Sequence, residues 1–160
     1  MTAKKPPQTP TILIANGVNL DLLGRREPAL YGSQTLADLE KLLRQKGESL
    51  AKVMGFKGLD LTFYQTNHEA DFLGQISKPF DGAVINPGAW THTSLALGDR
   101  LKALGLLFVE VHISHVSQRE KFRQHSYISS SAQGVVSGLG FEGYLAALVA
   151  LLGKIAGASR

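Results

Sequence analysis

The sequence predicts a single α/β domain in which a five-stranded parallel sheet carries helices on both faces. Short runs rich in β-branched and aromatic residues alternate with segments of helical periodicity along the chain. Strands separated by helices pair in parallel through right-handed crossovers, and these connections place helices on both faces of the sheet. The chain has 160 residues, 44% of them hydrophobic, which suffices for one core but not for two ordinary domains.

The five predicted strands are short apolar runs that end at turn-forming residues. They cover residues 11–15, 59–64, 82–85, 106–113 and 134–139. Five strands in this arrangement correspond to a doubly wound sheet of the flavodoxin-like type. In such sheets ligands bind beyond the carboxyl ends of the strands, where the strand order reverses.

Four helices are predicted between and after these strands. The first follows Thr35, an expected N-cap with Asp38 three residues further on, and its leucines recur at helical spacing until Gly55. The others cover residues 68–76, 93–104 and about 141–155. The segment 17–33, between the first strand and the first helix, contains glycine and proline and is predicted to be an unusually long loop.

Residues 1–10 are predicted to form a flexible tail, and residues 11–157 a single catalytic domain. The tail contains Lys4, Lys5 and three prolines but no apolar core, so it resembles neither a signal peptide nor a membrane span. The chain has no cysteine, which excludes disulfides and thiolate chemistry and is compatible with a cytoplasmic location. Its net charge of +4 suits anionic ligands, but the basic residues are dispersed, so no nucleic-acid partner is expected.

Most polar residues suited to chemistry follow the first, third and fourth predicted strands. Because the carboxyl ends of parallel strands meet at one edge, these residues are expected to converge on one cleft. Glu110 and His112 are two apart on one strand, so their side chains leave the same face, and the carboxylate could orient the imidazole and keep it basic. The full set is Asn16, Asn19, Arg25, Arg26, Tyr31, Asn86, His92, Glu110, His112, Ser114, Arg119 and Arg123.

Two other interpretations of Glu110 and His112 remain open. From their spacing alone, the two residues are equally consistent with a polar pair that is mutually satisfied at a strand end. A metal site would need a third ligand such as His115, which falls on the other face if the strand continues. Closed zinc geometry is therefore not encoded locally, and we expect neither a metal nor a cofactor.

Arg119 and Arg123 are four residues apart and would share a helix face. Guanidinium groups placed in this way could clamp a carboxylate or a phosphate. Glu120 and Lys121 lie between them, so a solvated charged face is the alternative interpretation.

Tyr31 follows Arg25 and Arg26 in the long loop. A phenol has an ordinary pKa of about 10 and is a poor base at neutral pH unless a cation stabilises the phenolate. A neighbouring arginine supplies such a cation. The alternative interpretation is an exposed loop in which the tyrosine ring packs and the arginines are solvated.

Residues 138–143 match the dinucleotide-binding pattern GxGxxG. The match follows the last predicted strand, however, and the chain ends before the acidic ribose contact that is expected about 20 residues further on. We therefore interpret this segment as a tight turn between a strand and a helix.

Five segments of the sequence, in this order, resemble the signature segments of type II 3-dehydroquinate dehydratases. They are residues 16–32 (NGVNLDLLGRREPALYG), 65–69 (QTNHE), 86–94 (NPGAWTHTS), 110–114 (EVHIS) and 119–127 (REKFRQHSY). The resemblance extends from about Thr11 to Gly153. It implies a cofactor-free hydro-lyase of the shikimate pathway that converts 3-dehydroquinate to 3-dehydroshikimate and water by anti elimination through an enolate.

The resemblance also implies a role for individual residues. Tyr31 corresponds to the general base, Arg26 to the arginine that keeps its phenol anionic, and His112 to the general acid, oriented by Glu110. Asn19 corresponds to the residue that stabilises the enolate through a bound water. Substrate contacts correspond to Asn86, His92, Arg123 and the backbone amides of Ile113 and Ser114, with Asp99 reaching in from an adjacent subunit. The implied assembly is a homododecamer of four trimers, with no nucleic-acid or membrane partner.

Four residues depart from the usual family pattern. Val18 replaces a common proline, Trp90 a tyrosine or phenylalanine, Gly98 an arginine and His115 an asparagine. None of these changes removes a catalytic group, although Gly98 puts one contact between subunits in doubt. A type I enzyme would form a Schiff base through lysine, but no lysine follows a predicted strand here.

The main competing hypothesis is a flavodoxin-like module without enzymatic activity. Such a module would bind a flavin or receive a phosphoryl group. A phosphoryl receiver would need an aspartate at the end of the third strand, where this sequence has Asn86.

Overall fold

A computed structural model of the chain describes residues 8–25 and 32–157. Within these residues, five strands form one sheet: β1 (Thr11–Asn16), β2 (Asp60–Gln65), β3 (Gly82–Asn86), β4 (Phe108–His112) and β5 (Val135–Ser137). All neighbouring pairs are parallel, and the order is β2-β1-β3-β4-β5. This is the doubly wound, flavodoxin-like order, so the predicted fold class is confirmed.

In the described part of the chain, four α-helices connect or follow the strands. They are α1 (Leu36–Val53), α2 (Glu69–Ile76), α3 (Leu95–Leu104) and α4 (Glu142–Gly157). The described residues also form short 3-10 helices at Leu20–Leu22, Gly88–His92, Val116–Gln118 and Lys121–Gln124. These four turns lie on the segments that follow β1, β3 and β4, and the sequence did not predict them. No helix in the described part of the chain is both long enough and apolar enough to cross a bilayer.

Alternating side chains of the central strands build one hydrophobic core on each face of the sheet. Ile12 and Ile14 of β1 belong to the cluster that contains the buried residues of α1 and α4. Leu13 and Ala15, which point the other way, belong to the cluster that contains those of α2 and α3. Because β3 and β4 are buried along their whole length and β1 is buried from Ile12 onward, residues at their carboxyl ends are rigidly placed.

The predicted start of α1 is confirmed in detail. The Thr35 hydroxyl accepts a hydrogen bond from the Asp38 backbone N–H (3.3 Å), and the Asp38 carboxylate accepts one from the Thr35 N–H (2.8 Å). This reciprocal capping box satisfies two backbone donors that a helix otherwise leaves unpaired.

Several predicted boundaries were wrong by one or two residues. Helix α3 begins at Leu95 rather than at residue 93, because the Ser94 hydroxyl caps it by accepting a hydrogen bond from the Leu97 N–H (2.9 Å). Strand β5 ends at Ser137 because Gly138 has a φ of 85°, which is incompatible with an extended strand. Strand β4 starts at Phe108 rather than at residue 106.

The last residues of the predicted tail contact the rest of the domain. The Lys57 N–H donates to the Gln8 carbonyl (2.8 Å), the Asp60 N–H donates to the Pro10 carbonyl (2.9 Å), and Pro10 is buried. Residues 8–10 thus belong to the packed chain, and residues 1–7 of the predicted tail lie outside the described residues.

Gly17 allows the segment after β1 to lie directly against the segment after β3. A Cβ added at Gly17 would lie 2.4 Å from the Pro87 carbonyl oxygen, which is part of the backbone and has little room to move. We expect Gly17→Ala to lower the free energy of unfolding by about 1–3 kcal/mol. Urea denaturation measures this change.

Gly74→Ala is the matched control. Gly74 lies in α2, and a Cβ added there would have no neighbour within 4 Å. Alanine at such a helical position is expected to raise the free energy of unfolding by about 0.5–1 kcal/mol. Equal stabilities for the two variants would contradict the close contact at Gly17.

Candidate active site

A polar cleft opens where the strand order reverses, at the carboxyl ends of β1, β3 and β4. Two arginines and two histidines line it, and none of its described lining residues is a carboxylate. This distribution of charge suits a small anion. The described lining residues are Val18, Asn19, Leu20, Leu23, Asn86, Gly88, Ala89, His92, His112, Ile113, Ser114, Val116, Arg119 and Arg123.

Glu110 and His112 form a buried pair at the end of β4. Their side chains share a face of the strand, as predicted, and the His112 Nε2 lies 2.7 Å from the Glu110 Oε1. An ionised carboxylate can only accept hydrogen bonds, so Nε2–H is the donor. The pairing fixes the ring orientation and leaves Nδ1 as the nitrogen available to a ligand in the cleft.

Two further hydroxyl groups hold Glu110. The Thr91 Oγ1–H donates to the Glu110 Oε1 (2.7 Å), and the Ser126 Oγ lies 3.0 and 3.1 Å from the two carboxylate oxygens. Complete burial would by itself raise the pKa of Glu110. The hydrogen bonds from His112, Thr91 and Ser126 outweigh this effect and hold the pKa below its ordinary value, so the carboxylate stays ionised at neutral pH.

This lowered pKa gives Glu110 a predictable effect on acid stability. A carboxyl group whose pKa is lower in the folded chain contributes stability that is complete above its unfolded pKa, about 4.3. That stability is lost as the pH falls through the folded pKa. We therefore expect the unfolding free energy of the wild type to exceed that of Glu110→Gln by an amount that shrinks below about pH 4.

Urea denaturation of both proteins at several pH values between about 3 and 6 checks this expectation. A wild-type advantage that stays constant over this range would show that the Glu110 carboxyl has no lowered pKa in the folded chain.

His92 lies across the cleft from His112, with nearly parallel rings whose centroids are 6.2 Å apart. Its Nδ1 is 2.7 Å from the His125 carbonyl oxygen, which can only accept, so Nδ1 carries the proton. Partial burial is the main cause that lowers the pKa of His92. The ring is therefore neutral at neutral pH, and its Nε2 is a hydrogen-bond acceptor.

Asn19 follows β1 in a left-handed backbone conformation (φ 64°) that is unusual for a residue other than glycine. Asn67, just after β2, holds it there: the Asn67 Oδ1 accepts the Asn19 backbone N–H (2.7 Å). The Asn67 Nδ2 donates to Asp21 (3.2 Å), and the Gln65 side chain donates to the Asn67 Oδ1 (3.1 Å). Asn19 is one of the residues that line the cleft.

The backbone of Ile113 and Ser114 is oriented by the segment after β5. The Gly138 N–H donates to the His112 carbonyl and the Gly140 N–H to the Ile113 carbonyl, both at 3.1 Å. In a trans peptide the N–H points away from the C=O. The amide groups of Ile113 and Ser114 therefore point away from that segment, which fits their predicted role as donors in the cleft.

The GxGxxG segment thus has a structural role at this site. Gly138 and Gly140 both have positive φ values, 85° and 56°, and a Cβ at Gly138 would lie 2.9 Å from the Cβ of His115. The segment forms a tight turn between β5 and α4, as interpreted from the sequence, and supports the backbone of Ile113 and Ser114.

Arg119 and Arg123 both line the cleft, but not from one helix face. The predicted helix is absent because neither Arg119 nor Glu120 has a helical backbone conformation, and these two residues separate two short 3-10 turns. Glu120 lies beside both guanidinium groups: its Oε2 accepts a hydrogen bond from the Arg123 Nε (2.9 Å) and is 3.6 Å from the Arg119 Nε.

Not every predicted site residue lines the cleft: Asn16, Arg25 and Glu110 are described but are not among its lining residues. Arg26 and Tyr31 fall outside the described residues. Asp99 is exposed on α3 and does not line the cleft of its own chain. Its neighbour Gly98 faces the Tyr127 carbonyl so closely that a Cβ there would lie 2.6 Å from the oxygen.

Within the described ranges, no three His, Asp or Glu side chains are grouped so that they could hold a metal ion. His115 has left the strand and begins the next turn. Residue 86 lies at the end of β3, as predicted, and is an asparagine rather than the aspartate of a phosphoryl receiver.

The chain was also compared with known proteins. A family model described as Dehydroquinase class II matches residues 10–152. A 3-dehydroquinate dehydratase of Alkalilimnicola ehrlichii is 47% identical over 155 residues, which cover 94% of this chain and 97% of that protein. A 3-dehydroquinate dehydratase of Actinobacillus pleuropneumoniae is 47% identical over 136 residues, covering 83% of this chain and 84% of the relative.

Solved structures give the same result. The crystal structure of a type II dehydroquinase from Butyrivibrio crossotus superposes with a TM-score of 0.81 at 36% identity, covering 89% of this chain and 97% of that one. The family match spans most of the sequence, and the relatives are matched over most of their length. The chain belongs to the class II dehydroquinase family.

Proposed function

We propose that this chain is a 3-dehydroquinate dehydratase of the shikimate pathway, a hydro-lyase that converts 3-dehydroquinate to 3-dehydroshikimate and water. The observation that carries the proposal is the Glu110–His112 pair in a cleft lined by Arg119 and Arg123, within a chain of the class II dehydroquinase family. The pair presents an imidazole to the ligand, and the arginines favour an anionic one.

The proposed reaction begins with removal of a proton from the carbon beside the substrate ketone. Tyr31, as a phenolate stabilised by Arg26, takes this proton, and the electron pair of the C–H bond forms an enolate. Asn19, through a bound water, stabilises the negative charge on the enolate oxygen. The held backbone of Asn19 supports this role, since a preorganised donor need not reorient during the reaction.

The second step expels the β-hydroxyl group. His112 gives its proton to that oxygen, the C–O bond breaks with its electron pair on the leaving water, and the enolate electrons form the new C=C bond. After the elimination, Tyr31 releases its new proton to solvent and His112 takes one up from solvent. Both side chains thereby return to their starting protonation states. Glu110 orients His112 for this transfer and balances the charge of its protonated ring.

The remaining residues of the cleft are proposed to bind the substrate. The amides of Ile113 and Ser114 suit its carboxylate because backbone N–H groups are good donors to anions. The neutral Nε2 of His92 can accept a hydrogen bond from a substrate hydroxyl group. The side chains of Asn86 and Arg123 can donate hydrogen bonds to substrate oxygen atoms. Burial of Asn86, which is only 3% exposed, supports a fixed position for its amide.

We further propose a homododecamer of four trimers, in which Asp99 completes the site of an adjacent subunit. The exposed position of Asp99, outside the cleft of its own chain, supports this arrangement. Sedimentation should then give about twelve times the mass of one chain. Mixing inactive Asp99→Ala subunits with inactive His112→Asn subunits should restore some activity.

We also propose a cytoplasmic location, in keeping with the absence of cysteine.

A direct assay of 3-dehydroquinate conversion tests the proposed activity, since the conjugated enone of the product absorbs in the ultraviolet. We expect turnover by purified protein that is unchanged by a chelator and by borohydride added with the substrate. Loss of activity on borohydride treatment would point to an imine, and loss with the chelator to a metal. A yellow protein without turnover would favour the flavin-binding alternative.

A further inference from the structure

Tyr144 of α4 lies directly beneath the cleft and has no place in the mechanism above. Its side chain is completely buried, and its ring packs edge-on against Phe141. Burial raises the pKa of the Tyr144 phenol far above its usual range, although a hydrogen bond from Asn86 opposes this. The hydroxyl is therefore neutral at any pH at which the protein works and can both donate and accept one hydrogen bond.

The Tyr144 oxygen joins two asparagines from neighbouring strands. Asn16 ends β1, Asn86 ends β3, and the two residues are paired in the sheet register. The Tyr144 O–H donates to the Asn16 Oδ1 (2.6 Å) and accepts from the Asn86 Nδ2 (2.7 Å). Both asparagines are 3% exposed, so neither bond is readily replaced by water.

One backbone group sets the direction of this chain of hydrogen bonds. The Gly88 N–H can only donate, and it lies 3.1 Å from the Asn86 Oδ1. The Asn86 amide must therefore turn its NH₂ group toward Tyr144, and the Tyr144 proton must point to Asn16. If the Asn86 amide were flipped, its NH₂ group would face the Gly88 N–H, and two donors would oppose each other.

We propose that Tyr144 is a positioning residue for Asn86, holding its amide so that the second N–H of the Nδ2 group serves as a donor to substrate in the cleft. An amide NH₂ carries two donors, and Tyr144 takes one. With its Oδ1 bound by Gly88 and one N–H bound by Tyr144, the Asn86 side chain has one donor left and one orientation. This inference rests on the proposed function, in which Asn86 contacts the substrate.

Tyr144→Phe is the direct test because it removes the hydroxyl and keeps the ring that packs against Phe141. It leaves the Asn16 Oδ1 and one Asn86 N–H without their buried partner, so the Asn86 amide keeps only one of the two hydrogen bonds that fix its orientation. We expect kcat/KM for 3-dehydroquinate to fall about tenfold or more. Tyr64→Phe, the same change on β2, is the matched control and is expected to leave kcat/KM within about twofold.

Coupling to Asn86 separates a positioning role from a merely structural one. If Tyr144 acts through Asn86, Tyr144→Phe introduced into Asn86→Ala should lower kcat/KM by less than about twofold, because the group it positions is already absent. If the two substitutions multiply, Tyr144 acts independently of Asn86 and the inference is overturned. An Asn86→Ala variant with wild-type kcat/KM would overturn it as well.

A readout without substrate distinguishes failure of this inference from failure of the proposed function. In protein labelled with ¹⁵N at asparagine, the side-chain amide signals of Asn86 are identified by their loss in Asn86→Ala. We expect Tyr144→Phe to shift these signals and Tyr64→Phe to leave them in place. Unchanged signals in Tyr144→Phe would overturn the inference whether or not the wild type dehydrates 3-dehydroquinate, and absent turnover with shifted signals would reject the proposed function alone.

Discussion

Replacing His112 with asparagine is expected to lower kcat for 3-dehydroquinate dehydration by about 10²–10⁴-fold, the usual contribution of a general acid. The leaving hydroxyl must gain a proton as the C–O bond breaks, and His112 presents an imidazole to the cleft. Asparagine cannot transfer a proton at neutral pH, so the enolate would revert to substrate instead of eliminating water. Steady-state kinetics of the purified variant measure this loss.

His68→Asn is the matched control for His112→Asn. His68 is exposed at the N-terminus of α2 and does not line the cleft, and asparagine is a good N-cap. We expect its kcat to equal that of the wild type. A His112→Asn variant with kcat within about twofold of wild type would remove His112 from the mechanism.

Replacing Tyr31 with phenylalanine is expected to lower kcat by about 10²–10⁴-fold while the dissociation constant for 3-dehydroquinate changes little. The substitution removes the proposed base and retains the ring, so substrate contacts made by the ring survive. A phenol with an ordinary pKa of about 10 would be mostly protonated at neutral pH. The proposed reaction therefore also needs the positive charge of Arg26, and removing that charge should shift the ascending, low-pH limb of activity to higher pH.

Calorimetric titration with 3-dehydroquinate, together with steady-state kinetics, separates binding from turnover in Tyr31→Phe. Tyr64→Phe serves as the control for loss of a phenol elsewhere in the chain. Unchanged turnover in Tyr31→Phe would show that another group removes the proton.

The order of elements and the pairing of Glu110 with His112 followed from local patterns in the sequence. Apolar strand patterns alternate with helical patterns along the chain, and this alternation predicted the order of elements. The two-residue spacing of Glu110 and His112 predicted that their side chains share a face of β4. The predicted helix containing Arg119 and Arg123 was wrong because Arg119 and Glu120 have non-helical backbone conformations, and no periodic pattern marks such a break.

The residues that hold the site together could not be predicted in the same way. Thr91 and Ser126 reach Glu110 from segments 19 and 16 residues away in sequence, and Tyr144 lies 128 residues from Asn16. Contacts of this kind depend on how the layers pack rather than on local spacing. The apolar sequence of α4 predicts that Tyr144 is buried but does not indicate what its hydroxyl contacts.

The proposed roles of Tyr31 as base and His112 as acid are tested most directly by hydrogen exchange at the carbon beside the substrate ketone. His112→Asn should still form the enolate, so 3-dehydroquinate recovered from D₂O should carry deuterium at that carbon, above the level without enzyme. Tyr31→Phe should give neither exchange nor elimination. Exchange catalysed by Tyr31→Phe, or its absence in His112→Asn, would contradict a mechanism in which Tyr31 removes the proton and His112 acts afterwards as the acid.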